Sequence, residues 1–403
     1  MPRSNVFWRL SGPIIACAIF FVSFAWFRAG DILFTVSDAF YILGGFFLII
    51  GGGLTTRPFG SLSPYWYLVF AAMLSGLLVS SLVNGAPLRW LPVALQYTFS
   101  FIFLPMILMS QSRERWIFYA KAFVLGIIAL EVSAYLVYLY FDGSYDELTR
   151  FGYNFYSGSG RLGSFLGNPN FNAAMIAMTV PILCFLKLKR AVSLPAFLIA
   201  LAILFTALVF TASASGTFAT LMGLIIFGVV SGVGLSPRVA AAGIVAVAAL
   251  FLFDVPLPST FQERVTSAVG TGDIENVGSF ADRYALMKEA WSITGETAIV
   301  GLGVDQFRVF SEHEAPVHNS YLLLWTEGGL LAFFSWIGLL SILAAGALGA
   351  FRDGRHQAAA LGLAVFTVLA IFSMSSTHMY SRAWITPVLI ALGPAFGSRI
   401  GRF

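Results

Sequence analysis

A dozen apolar blocks, each near the ~20 residues that cross a bilayer, follow one another along this chain, most with only short polar joints between them. A chain patterned this way has to satisfy its backbone inside lipid, which makes the helix the natural spanning element. Charged residues are 10% of the 403, against about 25% in an average soluble domain. The expected fold is therefore an all-α polytopic membrane protein, a single integral membrane domain over 1–403. The blocks fall at 10–27, 32–54, 65–83, 88–109, 116–141, 171–186, 194–210, 217–232, 240–253, 320–351, 358–373 and 384–396. The block from 320 is long enough to tilt, to kink near Gly328-Gly329 or to project from the bilayer.

The net charge of +4 is dispersed at block ends. That is the pattern of topology signals, not of a nucleic-acid footprint. With the N-terminus in the cytoplasm, 14 of the 23 Lys and Arg fall inside, and every cytoplasmic segment carries at least one. Both termini are then cytoplasmic and the longest polar interval faces out. Arg3 and Arg9 precede an apolar run without a convincing small-residue cleavage site, which reads as a retained first span. Cys17 and Cys184 both sit in apolar blocks, so neither a disulfide framework nor a Cys-based metal site is expected.

Two outer segments are long enough to be structured. The smaller, 142–170, contains Asp142, Asp146 and Glu147, and closes on Gly160-Arg161-Leu162-Gly163 and Asn168-Pro169-Asn170. The larger, 256–317, holds Arg264, Arg283, Lys288, Arg308 and two of the four histidines. Within it, Ser259 or Thr260 with Gln262 and Glu263 reads as a helix start that stops at Gly270. A second helix begins at Ser279-x-x-Asp282. Phe280, Tyr284, Met287 and Trp291 share one of its faces, Arg283 lies at the edge of that face, and Asp282 and Glu289 point away. Such an amphipathic helix lies on the outer membrane surface or roofs the bundle, and Gly295, Gly301 and Gly303 end it.

This outer set combines cations, histidines, few clustered carboxylates and no nucleotide motif. Arginines beside apolar surface suit a lipid-linked phosphate, because paired hydrogen bonds hold it and positive charge stabilises a departing diphosphate. A histidine nearby can take a proton from an incoming hydroxyl. His318 is the strongest candidate: Asn319 or Ser320 caps the helix that follows, and the positive end of that helix favours a neutral imidazole. The alternative for His318 is an interfacial histidine bonded to a backbone carbonyl. Arg283 has an alternative as a surface cation paired with Asp282 or lipid headgroups, and Arg161 as a brace for its Gly-rich loop. His313, between Glu312 and Glu314, reads as a solvated loop residue. No metal site is expected from two histidines without a third ligand nearby. Asp38, Glu131 and Glu327 lie in or near spans, and Glu131 is the one expected to pair within the bundle.

Three local patterns carry a resemblance. One is Arg161-x-Gly163 leading to Asn168-Pro169-Asn170. Another is Gly301-x-Gly303 with Phe307, followed by His318-Asn319-x-Tyr321-Leu322 and Glu327-Gly328-Gly329-Leu330. The third is Arg283 upstream of these, ahead of Trp291. In order and topology the chain resembles the O-antigen ligase/polymerase family of bacterial inner-membrane glycosyltransferases. The resemblance implies about 12 transmembrane helices in a GT-C-type fold, with a large helical periplasmic loop between spans 9 and 10. It also implies metal-independent, cofactor-free transfer from an undecaprenyl-diphosphate-linked glycan, with His318 as base and Arg283 on the diphosphate. Asn319 and Tyr321 fall in the matching motif and are expected at the substrate. The acceptor would be a lipopolysaccharide core or another glycan, and the partners membrane lipids, with no nucleic acid.

One departure stands out. The family's Ser-Arg pair at the start of the eighth span is replaced here by Thr211-Ala212-Ser213-Ala214-Ser215-Gly216-Thr217. A second diphosphate contact must then come from Arg161, Arg264, Lys288 or Arg382. Two other readings stay open: a Wzy-type polymerase with a second lipid-linked repeat as acceptor, and a lipid-linked-oligosaccharide flippase or other transporter. The transporter would need charges lining a path through the spans and would leave the outer loop dispensable.

Overall fold

The computed structural model describes residues 5–25, 34–109, 111–140, 155–156, 160–233 and 280–396. Among these, the only β pairing is a lone bridge between Tyr156 and Leu162, and the architecture is all-helical. Eleven apolar helices match eleven of the expected blocks. They are α1 (Val6–Phe20), α2 (Val36–Ile50), α3 (Ser63–Val83), α4 (Pro87–Leu108), α5 (Arg113–Tyr140), α6 (Pro169–Leu188), α7 (Leu194–Thr211) and α8 (Ala214–Ser231), then α10 (Ser320–Arg352), α11 (His356–Ser373) and α12 (Arg382–Phe396). Nine of the apolar stretches are long and apolar enough to cross a membrane. The shorter α2 and α12 are the exceptions; α2 stops where Gly51-Gly52-Gly53 interrupts the helix. The expected block at 240–253, the helix read from Ser259 or Thr260 to Gly270, and most of the 142–170 loop lie outside the described residues.

The elements begin and end for local reasons. Asn168 accepts from the amides of Asn170 and Phe171 and caps α6, with Pro169 in the first turn, where its missing N–H costs nothing. Ser193 and Ser213 cap α7 and α8 in the same way. α6 is the central helix, with 83% of its apolar window buried against 33% for α8. It packs on α5, α7, α8 and α11, while α10 lies against α3, α11 and α12. α12 is buried along nearly its whole length, so the bundle is organised around α6 and α12.

The two ends of the bundle differ. At one, Arg115 bonds to Trp8 and Ser11 of α1, Trp116 donates to Ile390 of α12, and Arg355 donates to Pro394 and Ala395. Arg113 is close enough to Lys189 to act on its charge. At the other, Phe171 of α6 stacks on Trp384 of α12, which also meets Phe372 at the end of α11. Ser320, which opens α10, bonds to the Ser376 and Thr377 carbonyls there. We call this the site end.

Candidate active site

A ninth helix, α9 (Phe280–Thr297), packs on α10 at the site end. Its inward face is not the aromatic one. Leu286, Ala290 and Thr294 are buried, whereas Tyr284 and Trp291 are 63% and 64% exposed. Leu286 and Ala290 meet Phe307, Val317, Leu322 and Leu323 in a small core separate from the main one. Glu289 lies away from the aromatic face, as the sequence pattern implied, and is engaged there. It accepts from Ser311 Oγ and the Glu312 amide, both at 2.8 Å, and has His313 Nδ1 at 3.4 Å. His313 is thus a tether as well as a solvated residue. Burial by itself would raise the Glu289 carboxyl, but these donors outweigh it and hold the group below its ordinary pKa.

Arg283 stands three and seven residues before Leu286 and Ala290, on the inward side of α9. His318 follows Val317, which is buried in the same small core. The helix and the loop therefore bring the two side chains together. The pKa of His318 is lowered from its ordinary value, first by burial and then by the charge of Arg283. Asn319 caps α10, its Oδ1 accepting from the Tyr321 and Leu322 amides at 3.1 Å each. His318 consequently sits at a helix N-terminus, half-buried and biased toward the neutral form. Tyr321 leans onto the membrane body, with Ser373 of α11 near enough to act on its hydroxyl.

Two glycine positions lock this end of the chain. α10 breaks at Gly329, with φ 69° and ψ −170°, a conformation open to glycine almost alone. The break frees carbonyls that the loop after α9 takes up: Leu302 N donates to Thr326 O at 2.7 Å and Gly303 N to Glu327 O at 2.9 Å. Leu330 N returns a bond to Ala298 O at 3.0 Å. The fit leaves no room for a side chain, since a Cβ on Gly329 would come within 2.1 Å of Ile299 O and one on Gly301 within 2.6 Å of Gly329 N. The loop is also tied to α3, through Asn84 to Gly301 O and Val304 N to Ser81 Oγ.

The other expected site residues are distributed differently. Arg161 donates to Thr211 O and to Asn170 Oδ1, both at 2.8 Å, and Ser213 Oγ shares the same Asn170 oxygen at 2.9 Å. It therefore braces the junction of α6, α7 and α8, and it does so beside the stretch Thr211–Thr217. Arg382 is buried and paired with Asp38, its guanidinium gripping both carboxylate oxygens. Asp38 is itself held by Thr35 in the capping box of α2. Lys288 is exposed on the outward side of α9 with Tyr284 and Trp291. Arg264 lies outside the described residues.

A cluster that sequence reading missed lies beneath the start of α10. Glu327, buried, has its Oε2 3.2 Å from His378 Nε2, and Tyr97 hydroxyl is 3.3 Å from His378 Nδ1. Tyr380 stacks on the imidazole. These residues come from α4, α10 and the loop before α12. The one signal in the sequence was that His378 is among only four histidines. Glu131 accepts one bond, from the neutral Asn172 Nδ2 at 3.4 Å, and its buried Oε1 has no hydrogen-bond partner among the described residues. Among the described residues, no three His, Cys, Asp or Glu side chains come together as a metal-binding group.

Residues 199–337 match the family model described as O-antigen ligase. The matched stretch takes in most of α7, all of α8 and α9, His318, Asn319, Tyr321 and the break at Gly329; Arg161, His378 and Arg382 lie outside it. A search of curated proteins returned no match. The match supports the O-antigen ligase/Wzy family, and with it a glycosyltransferase-like enzyme working in the membrane.

Proposed function

We propose that this chain, which carries an O-antigen ligase family domain, moves glycan from an undecaprenyl-diphosphate carrier to an acceptor hydroxyl at the periplasmic face of the inner membrane. A lipopolysaccharide core is the favoured acceptor. His318 takes the proton of that hydroxyl, and its oxygen attacks the anomeric carbon. As the new C–O bond forms, the bond from C1 to the diphosphate breaks and its electron pair leaves with the diphosphate. Arg283 stabilises the charge that develops there. Direct displacement inverts the anomeric centre.

The observation that supports this reading is the coupling of His318 to Arg283 in a half-buried setting. Neutral imidazole is what a general base requires, and a guanidinium beside it suits a pyrophosphate. Tyr284, Trp291, Ile299 and Phe310 are exposed around the same element, apolar surface of the kind a polyprenyl tail would lie against. A transporter would be expected to line a path with charge. Of the buried charged groups among the described residues, Asp38 is paired with Arg382 and Glu327 with His378, and Glu131 alone meets a neutral neighbour, Asn172.

The test is transfer by the reconstituted protein with a lipid-linked glycan and a core acceptor. His318→Ala is expected to lose turnover; unimpaired transfer by that variant would remove the base assignment. The family description also admits a polymerase, which uses the same donor and another lipid-linked repeat as acceptor. A deletion strain separates the two: loss of a ligase leaves long polymer on the carrier, whereas loss of a polymerase leaves single repeats.

A further inference from the structure

At the end of the bundle away from His318, α5, α6 and α7 enclose a groove of about 300 Å³. Its walls are apolar, with Val124 and Ile128 from α5, Leu183 and Leu186 from α6, and Ala196 and Ala200 from α7. Only Lys121 and Ser193 bring polar side chains to it. A cleft of this composition between membrane helices has no use for water, and hydrocarbon fits it.

Charge at the mouth is one-sided. Lys187 lies in the last turn of α6, Lys189 and Arg190 follow it toward α7, and Arg113 at the start of α5 is near enough to Lys189 for their charges to interact. Within the stretches 111–130 and 183–200 that build the groove and its rim, Glu114 is the one acidic residue. Lys121 lies eight residues into α5, about 12 Å along the helix from Arg113. A lysine there lays its methylene stem along apolar surface and lifts its ammonium toward the headgroup layer. The basic residues gathered at this end mark it as the cytoplasmic side, the leaflet where anionic lipids meet basic pockets between spans.

We propose that this groove binds one anionic glycerophospholipid, with an acyl chain between α5, α6 and α7 and the phosphate at Lys121. The charge complementarity and the apolar lining each exclude a different competitor. A free phosphate would leave the hydrocarbon walls bare, and a zwitterionic lipid would gain less from the surplus of cations.

Native mass spectrometry of the full chain, released from detergent and titrated with phosphatidylglycerol or phosphatidylethanolamine, tests this. Phosphatidylglycerol should be retained at least about fivefold better. Lys121→Gln should remove most of that preference, and Ala196→Trp, which fills the groove, should abolish the retained adduct. Arg308→Gln, at the opposite end, should change nothing. Equal retention of the two lipids by the unaltered protein overturns the proposal, as does an undiminished adduct in Lys121→Gln. Full retention by Ala196→Trp would show that the lipid sits on the basic surface and not in the groove. Should that variant fail to fold on size exclusion, the lipid preference and the Lys121→Gln result decide the matter.

Discussion

Arg283 and His318 come from different elements, yet the charge of the one adds to burial in lowering the pKa of the other. Leu286, three residues after Arg283, and Val317, next to His318, arrange this by meeting in the small hydrophobic cluster under α9. The arrangement has a measurable consequence for pH.

A base must be neutral to accept a proton, so transfer should rise with pH through the His318 pKa. Because that pKa is lowered from 6.5, the acid limb of the profile should lie below 6.5. In Arg283→Gln the smaller of the two causes is gone. Turnover should fall, and the residual activity should show its acid limb shifted upward yet still below 6.5, since burial remains. A profile in Arg283→Gln that is unmoved or displaced downward would contradict the coupling.

Glu289 offers a second pH test, read on structure. Its folded-state pKa is depressed below 4.5 by the donors from Ser311, Glu312 and His313. The stability it contributes is therefore present above 4.5 and lost as pH falls through the folded value. Hydrogen exchange in α9 and residues 311–314 should quicken over that acid interval. Glu289→Gln should exchange quickly at all pH values and lose the dependence.

The break in α10 predicts a steep response to one methyl group. Gly329→Ala meets both a backbone conformation that alanine avoids and the Ile299 carbonyl. The cost should be about 1–3 kcal/mol or more, seen as a lower thermal transition in detergent. Gly349→Ala, later in the same helix, meets no atom within 4 Å and should leave the transition unchanged or slightly raised, as alanine favours helix over glycine.

Asp38 and Arg382 should behave as a unit. Asp38→Asn strands a buried guanidinium and should destabilise by about 3–5 kcal/mol. Replacing both, Asp38→Leu with Arg382→Met, should recover most of the loss in a thermal unfolding comparison. Failure of the double variant to recover would mean that Arg382 has a further role at the site.

Much of the frame was legible in the sequence because lipid imposes it. The apolar blocks, the break near Gly328-Gly329 and the cap before α10 all follow from local chemistry. The facing of α9 did not. Tyr284 and Trp291 are the large apolar residues of the pattern, but in a membrane setting a large apolar side chain gains as much outside the protein as within it. The inward positions fell to Leu286, Ala290 and Thr294. The grouping of Tyr97, Glu327 and His378 was equally hidden, since it joins three distant segments that no spacing rule connects. Arg161 and Arg382 stood out in the sequence as candidates for a second diphosphate contact. What sequence could not supply was that each would already be engaged, one by Thr211 and Asn170, the other by Asp38.

The interlock between residues 298–303 and the broken helix fixes the C-terminal end of α9, whereas its opposite end carries Arg283. A rod fixed at one tip and tethered at its middle through Glu289 and Ala290 moves most at its far end. Any rocking of α9 to admit a bulky carrier would thus sweep the guanidinium through the widest arc, while the backbone around Glu327 stayed still.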